Sequence, residues 1–362
     1  MIRFTTALKS VVVIIFLGVV LLLPAQELRH LADSLRVKYN VPELAYAVVS
    51  ADEVMDLSVL GVKKTGSDLT AQSADRFRIG SNTKAITGYI AALLVNEGKL
   101  SWDTQFFEMF PELKKAASRA YHRVTLLELL TFRTRLYPYT YTYDEPRKEQ
   151  FSGSETEQRY QFSAWFFQQP PVKKKEINFS NLGYVAAAMM MEKASGKTYK
   201  QLVTDLGEQL NISFGFGNAV AFDPGQPWGH DSELNPVGSS PSDYKLEWLL
   251  AAGNINVSLP DYVKFIQLQL AGLAGRNNQM TKSQFEFLHY GLPRFSVGWF
   301  QGVDENERRF SYNIGNPGTF YSKVMVFGEA GIAIIILTNA QTAQTEKGVE
   351  ELYELLKQRY IR

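Results

Sequence analysis

Ser81 and Lys84 are the two residues whose types and spacing best fit covalent chemistry. They lie in the segment Phe77-Arg-Ile-Gly-Ser-Asn-Thr-Lys84, which precedes apolar residues spaced i, i+4, i+7 and i+8 from Ile86. This spacing predicts a helix with one buried face, with Ser81 at its N-terminus and Lys84 one turn later on the same side. A helix N-terminus stabilises developing negative charge, and a lysine desolvated by apolar walls has a lowered pKa. The pair therefore suggests a serine nucleophile that gives its proton to a lysine base.

The Ser-x-x-Lys pattern is weak evidence by itself. A second copy, Ser242-Asp-Tyr-Lys245, follows Pro241 in a polar stretch that has no amphipathic helix behind it, and we interpret it as structural. For Ser81 the competing interpretation is an N-cap, because serine hydroxyls commonly cap a first helical turn. Other motifs must decide between nucleophile and cap.

Further motifs follow in the rest of the chain. They are Thr125-Leu-Leu-Glu-Leu-Leu-Thr131, Phe179-Ser-Asn-Leu-Gly-Tyr184, Ala251-Ala-Gly-Asn-Ile-Asn-Val-Ser258, Ser296-Val-Gly-Trp299, Gly315-Asn-Pro-Gly-Thr-Phe320 and Ile336-Leu-Thr-Asn339. In this order, and together with the Ser81 segment, they resemble the motifs of the penicillin-recognising serine hydrolases. The branch that the sequence resembles is related to class C β-lactamases and includes esterases and D-amino-acid peptidases. The matches extend over roughly residues 28–340.

Strand-like segments lie near both ends of the chain, and helical segments dominate the middle. Alternating and β-branched residues predict strands over 44–50 and 56–64, and several more between 294 and 339. This order argues against a simple succession of βαβ units. It predicts an α+β fold, in which one antiparallel sheet is built from both termini, is flanked by terminal helices and carries a mainly helical insertion.

The resemblance implies the same architecture, a fold like that of β-lactamases and penicillin-binding proteins. Because no Gly/Ser/Pro-rich linker divides the chain, we expect one domain over residues 26–362. Its predicted parts are the sheet regions at about 26–80 and 290–362 and the helical region at about 81–289.

The resemblance also implies an acyl-serine mechanism and a role for five positions. Ser81 would attack a carbonyl, and Lys84 would activate it and lie near the leaving group. Asn181 would hydrogen-bond Lys84 and the substrate amide. Backbone N–H groups of Ser81 and Asn316 would form the oxyanion hole, and Gly315 would let the substrate approach its strand closely.

Two departures from the family pattern affect chemistry. The family's Tyr-x-Asn tyrosine, its usual proton shuttle, is Phe179 here, and acid–base help of this kind is typically worth ~10²–10⁴-fold in rate. The family's third motif, Lys or His followed by x-Gly, aligns with Asn313, which carries no charge for a substrate carboxylate. A register shifted by one residue would put Tyr312 there instead, but only the first register keeps Gly315.

A third departure lies in Thr131-Phe-Arg-Thr-Arg-Leu136, where Phe132 replaces the family's histidine and Arg135 its glycine. The aromatic run that follows, Tyr137–Tyr143, alternates as a strand would. Such a run either packs in the core or walls a binding cleft.

Composition excludes several other kinds of chemistry. The 362 residues include no cysteine and only four scattered histidines, and the formal net charge of the chain is +1. Thiol chemistry is therefore impossible, and we expect no metal, no cofactor and no nucleic-acid partner. No Gly-x-Ser-x-Gly motif occurs, which disfavours an α/β-hydrolase triad.

The N-terminus resembles an export signal. Arg3 and Lys9 precede thirteen apolar residues at 11–23, and Pro24-Ala-Gln26 follows. This pattern predicts a signal peptide over 1–25 and a periplasmic or secreted protein without a stable membrane span after cleavage. The alternative, an uncleaved anchor, is disfavoured because spanning helices need ~17–25 residues.

Two functions remain in competition. The first is an exported serine hydrolase that acts on an ester or amide of a small molecule or peptide, with β-lactam hydrolysis less favoured than esterase or peptidase activity. The alternative is a catalytically degenerate member that binds peptides or cell-wall fragments. Ser81, Lys84 and Asn181 favour the enzyme, whereas Phe179 and Asn313 favour the binding module. A purely structural protein is disfavoured because the sequence lacks repeats.

Overall fold

The computed structural model describes residues 26–238, 243–276 and 279–361, so the predicted signal peptide lies outside the described residues. The strands are β1 Glu43–Ser50, β2 Val54–Gly61, β3 Arg76–Arg78, β4 Gly215–Phe216, β5 Gly229–His230, β6 Pro236–Val237, β7 Ile255–Ser258, β8 Phe300–Val303, β9 Arg309–Gly315, β10 Tyr321–Phe327 and β11 Ile332–Thr338. The helices are α1 26–38, α2 Thr83–Asn96, α3 Phe106–Met109, α4 Pro111–Lys114, α5 Leu126–Leu130, α6 Glu155–Gln168, α7 Leu182–Ser195, α8 Tyr199–Leu210, α9 Asp243–Trp248, α10 Leu250–Gly253, α11 Leu259–Leu273, α12 Lys282–Tyr290 and α13 Ala343–Tyr360.

The main sheet joins the two ends of the chain. Its six strands lie in the order β2-β1-β11-β10-β9-β8 and are antiparallel throughout. The central strand β1 pairs with the C-terminal β11, with Leu44 opposite Thr338. The prediction of an α+β fold with one antiparallel sheet built from both termini is therefore confirmed.

Both faces of this sheet are covered, which explains why its central strands are apolar almost without alternation. In β1, Ala45 and Ala47 pack toward the helical part of the molecule, whereas Leu44, Tyr46 and Val48 pack toward the terminal helices. Successive side chains of a strand point to opposite faces, so a strand buried on both sides needs apolar residues at every position. β10 is also buried along its whole length, and its two polar side chains are hydrogen-bonded, Ser322 to the Ile79 carbonyl and Lys323 to Glu350.

The helical part carries a small second sheet that the sequence analysis did not predict, ordered β3-β7-β4. Helix α2 packs against α7, α8 and α10 below this sheet, which buries most of its residues. Within the described ranges, no helix combines the length and apolar character needed to cross a bilayer.

Strands were predicted from residue 294 onward, but in the structure the first of them, β8, begins only at Phe300. Arg294 and Gly298 have φ angles of +63° and +89°. These left-handed residues turn the chain, so an extended ladder cannot start before them. The Gly298 turn also brings the chain against the first turn of α2: a Cβ atom at this position would lie 2.6 Å from the Lys84 carbonyl oxygen.

Candidate active site

Ser81 lies on a tight turn between β3 and α2. The turn is a 3-10 segment, Gly80–Asn82, that continues directly into α2. Gly80 has a φ of +50°, and a Cβ atom at this position would lie 2.7 Å from the backbone nitrogen of Asn316. Both the backbone conformation and the close approach therefore require glycine. The turn places Ser81 at the entrance to α2, beside the end of β9.

Lys84 contacts Ser81 from one turn further along. Its Nζ lies 2.9 Å from Ser81 Oγ and donates to the carbonyl oxygen of Ala252 at 2.7 Å. The lysine side chain is 1% exposed, and burial lowers its pKa from 10.5 to about 7. Near neutral pH a substantial fraction of Lys84 is thus an uncharged amine, which is the form that can accept a proton from serine.

The end of β9 lies directly over the Ser81 turn. A Cβ atom at Gly315 would lie 1.9 Å from the carbonyl oxygen of Ile79, so only glycine permits this approach. The next residue, Asn316, lines the same cavity as Ser81. Its Oδ1 accepts from the Gly318 N–H at 2.9 Å and from the Tyr141 hydroxyl at 3.3 Å, which fixes the loop after β9. The backbone amides of Ser81 and Asn316 are therefore adjacent, as an oxyanion hole requires.

Asn181 lies in the cleft, but its hydrogen bonds differ from the expectation. Its Nδ2 donates to the carbonyl oxygen of Tyr139 at 3.1 Å, and its buried Oδ1 has no hydrogen-bond partner. The two hydrogen bonds of Lys84 go to Ser81 and Ala252. The expectation that Asn181 hydrogen-bonds Lys84 is therefore wrong. The physical reason is the loop around Tyr139, which takes up the Asn181 amide group. The Oδ1 is thus an acceptor without a partner at the edge of the cleft.

Phe179 lies in the cleft wall beside Ser81 and Lys84. Its ring centroid lies 5.4 Å from Lys84 Nζ and 4.5 Å from the ring of Phe132. Phe132 in turn packs against Phe295 at 4.6 Å. The positions of the family's tyrosine and of its turn histidine are thus filled by one apolar aromatic cluster. This cluster desolvates Lys84 and offers no hydroxyl for proton transfer.

Asn313 is not among the described residues that line the cavity at Ser81, which corrects the expectation that it contacts substrate. Its side chain is fully buried, and its Nδ2 donates to the carbonyl oxygen of Gly298 at 2.6 Å. The alternation of β9 puts Asn313 and Gly315 on the same face, whereas Tyr312 packs on the other face against Phe300 and Phe310. The register that keeps Gly315 therefore fits the structure, but Asn313 is too short to reach past Gly298.

A cavity of about 260 Å³ opens above Ser81. Tyr141 comes from the aromatic run of the sequence, which forms no strand and contributes both a core residue, Tyr139, and this cleft wall. Leu246 and Leu249 come from α9 and the residue that follows it, and no motif indicated that they would line the cleft. The lining consists of Gly80, Ser81, Thr140, Tyr141, Thr142, Phe179, Asn181, Leu246, Leu249, Ala252, Gly253 and Asn316.

A larger cavity of about 620 Å³ lies between Arg76, Phe216, Phe222 and Glu247. Neither Ser81 nor Lys84 lines it. The Arg76 guanidinium is already bonded to neighbouring side-chain and backbone oxygens. Size alone therefore does not identify the site. Among the described residues, the Ser81 cavity combines a serine hydroxyl, a buried lysine amine and neighbouring backbone amides.

The fold and this arrangement define a serine-hydrolase type of protein, in which a serine and a lysine lie at the start of a helix beside the edge of an antiparallel sheet. The family model "Beta-lactamase" matches residues 27–358, and the chain belongs to this family.

Individual relatives are distant. The chain is 22% identical over 334 residues to Protein flp of Staphylococcus aureus strain MW2, and 21% identical to that of strain MRSA252. Each alignment covers 87% of this chain but 63% of the relative, so the chain matches less than two thirds of these relatives' length. Among solved structures, the octameric penicillin-binding protein homologue from Pyrococcus abyssi is similar, with a TM-score of 0.70 and 18% identity. That similarity covers 87% of this chain and 73% of the homologue.

Proposed function

We propose that this protein is a serine hydrolase that forms an acyl-enzyme on Ser81 with Lys84 as its base, and that its substrate is an ester or amide of a small molecule or peptide. The observation that carries the proposal is the 2.9 Å contact between Lys84 Nζ and Ser81 Oγ, made by a fully buried lysine whose pKa lies near neutrality. The N-cap interpretation does not account for a desolvated lysine beside Ser81, because a capping serine only satisfies backbone N–H groups.

The chemistry proceeds in two halves. Ser81 Oγ attacks the carbonyl carbon while its proton passes to the neutral Lys84 amine, and the oxyanion accepts hydrogen bonds from the Ser81 and Asn316 amides. The intermediate collapses, the carbonyl–leaving-group bond breaks, and the Lys84 ammonium returns its proton to the leaving group. A water molecule then attacks the acyl-enzyme with Lys84 again as base, which releases the acid and regenerates Ser81.

The aromatic cluster favours esters over amides and β-lactams. An amine leaving group must be protonated as it departs, whereas an activated alcohol or phenol departs as a weakly basic anion. Phe179 offers no acid for that step, so Lys84 must supply the proton alone. Carboxylate recognition, which the family motif would provide through a lysine or histidine, has no counterpart at the buried Asn313.

A binding role without turnover is the second candidate, and the observation that favours it is the missing hydroxyl at Phe179. In that case the cleft would bind its ligand through Asn181, Asn316 and the apolar wall, and Ser81 would not be acylated. This candidate and the hydrolase make opposite predictions for covalent chemistry at Ser81.

The test is acylation of the purified protein. It is incubated with a 4-nitrophenyl ester and separately with a fluorescent penicillin, and the intact mass and the modified peptide are measured. We expect an acyl adduct on Ser81 from the ester, and 4-nitrophenol release that Ser81→Ala abolishes. Protein that stays unmodified and hydrolyses the ester no faster than Ser81→Ala would refute the hydrolase and leave the binding role.

We also propose that the protein is exported through the segment at 1–25, on the basis of its basic start and apolar run. Fractionation of expressing cells, followed by N-terminal sequencing of the purified protein, tests this. We expect a mature protein outside the cytoplasm that begins near Gln26, and a cytoplasmic protein that retains Met1 would contradict it.

A further inference from the structure

We propose that the Ser81 cleft selects uncharged acyl groups with an apolar chain and rejects acyl groups that carry a carboxylate. This inference rests on the proposed function, because it names the substrate class of the same site. It is drawn from the composition of the cleft wall and from the position of the cations around it.

The wall around Ser81 is apolar and electrically neutral. Leu246, Leu249, Ala252 and the rings of Phe179 and Tyr141 form its apolar part. The remaining polar side chains of the lining are hydroxyls and amides, so among the described residues no ionisable acid or base other than the Tyr141 phenol lines it. Such a wall favours burial of methylene groups.

The nearby cations are withdrawn from the cavity and already bonded. Arg78 is 3% exposed and pairs with Asp243 at 3.2 Å and with Asn254 at 2.8 Å. Lys245 precedes the lining residue Leu246, but its Nζ donates to the Tyr143 carbonyl. Turning either group toward a ligand would break these hydrogen bonds and, for Arg78, the ion pair with Asp243.

Lys84 does not supply a carboxylate site either. Lys84 is 1% exposed and is not among the residues that line the cavity, and its Nζ is already hydrogen-bonded to Ser81 and Ala252. A ligand carboxylate in the cleft would therefore lose water without gaining a cation or a hydrogen-bond donor of comparable strength. A neutral apolar chain of the same shape gives up no hydrogen bonds with water when it moves from water into the cleft.

Two 4-nitrophenyl esters of matched shape test the inference. One has an adipic acid half-ester as its acyl part, and the other has 6-methylheptanoate, in which a terminal isopropyl group replaces the carboxylate. We expect kcat/KM for the neutral ester to exceed that for the charged ester at least ~10-fold at pH 8, after correction for spontaneous hydrolysis. Equal values, or preference for the charged ester, would overturn the inference while leaving the acyl-enzyme proposal intact.

Thr142 offers a way to change the selectivity without disturbing the core, because it lines the cavity and is exposed. Thr142→Lys introduces one cation into the wall, and Thr142→Gln is the control for side-chain size. We expect Thr142→Lys, and not Thr142→Gln, to narrow the neutral-to-charged ratio about 5-fold or more. An unchanged ratio in Thr142→Lys would contradict the electrostatic explanation.

Failure of the proposed function is distinguished by Ser81→Ala. If the wild type hydrolyses neither ester faster than Ser81→Ala, the hydrolase proposal fails, and calorimetric binding of both esters to Ser81→Ala still decides the inference. Tighter binding of the neutral ester supports it, and equal or weaker binding refutes it.

Discussion

Replacing Lys84 by methionine removes the base while keeping a side chain of similar length in the same buried site. The native protein holds this lysine with a pKa of about 7, against 10.5 for an exposed lysine. Between these values the unfolded chain binds more protons than the native protein, so the stability of the wild type rises with pH in this window. A methionine at the same position does not titrate.

The magnitude follows from the two pKa values. Shifting one group from 10.5 to about 7 corresponds to a cost of about 4 kcal/mol at pH 7 and about 2 kcal/mol at pH 9. Methionine avoids this cost but loses the two hydrogen bonds of Lys84 Nζ, worth about 1 kcal/mol each. We therefore expect Lys84→Met to be more stable than the wild type by about 2 kcal/mol at pH 7 and equally stable at pH 9.

The assay is urea unfolding followed by circular dichroism at pH 7, 8 and 9, together with ester hydrolysis. Ser81→Ala is the matched control, because it is equally inactive but leaves Lys84 buried, so its stability should keep the wild-type dependence on pH. The same pKa predicts that wild-type kcat/KM rises with pH through about 7. A stability difference between Lys84→Met and the wild type that does not change with pH would refute a neutral Lys84, and with it the base.

Three further predictions follow from single positions. Gly315→Ala places a Cβ atom 1.9 Å from the Ile79 carbonyl oxygen, so kcat should fall ~100-fold or more as the oxyanion hole moves. The control Gly331→Ala, whose Cβ meets no atom within 4 Å, should lower stability without lowering kcat. Similar kcat values for the two variants would contradict this explanation. Phe179→Tyr should raise kcat on anilides by ~10²-fold and change activated esters little, and no gain on anilides would show that the missing hydroxyl is not limiting. Burial and the neighbouring Asp75 raise the pKa of Glu43, so wild-type stability should fall above pH 4.5 by about 1.4 kcal/mol per pH unit up to the native pKa. Thermal melts of Glu43→Gln should lack this pH dependence. Equal pH dependence in the two proteins would show that the pKa of Glu43 is not raised.

Local sequence patterns predicted a large part of the fold because those elements are determined locally. The helices at 182–195 and 199–210 lie in the region predicted to be mainly helical, and residues at their ends determine where they stop and start. Gly196 ends the first in a left-handed conformation, and Thr198 begins the second with a capping box. The strands of the main sheet were likewise recognisable from β-branched runs separated by turn residues.

Other elements escaped prediction because their residues carry no clear period. Helix α6 is rich in aromatic and polar residues on all sides, and the pair α9 and α10 is short and mostly buried. The small sheet β3-β7-β4 has strands of two to four residues, too short for alternation to be visible. Tertiary contacts, rather than local preference, determine these segments.

The same distinction applies inside the site. The Ser81–Lys84 contact joins residues one helical turn apart, so spacing could predict it. The partners of Asn181 and Asn313 are the Tyr139 and Gly298 carbonyls, which lie 42 and 15 residues away in the chain. Such contacts depend on the path of a loop. A motif predicts that the residue lies at the site, but it does not predict the orientation of its side-chain amide.

The departures at the site form one consistent set. The apolar ring of Phe179 removes an acid, but it also helps to desolvate Lys84 and so maintains a base that is neutral near pH 7. A lysine with this pKa can both accept a proton from Ser81 and return it to a leaving group, provided that the leaving group is not strongly basic. Because Asn313 is buried, it offers no polar contact to a substrate carboxylate, and the neutral wall of the cleft does not attract a carboxylate either. An ester with an uncharged acyl chain is the substrate for which none of these losses is costly, so a serine, one lysine and two backbone amides would be sufficient for its hydrolysis.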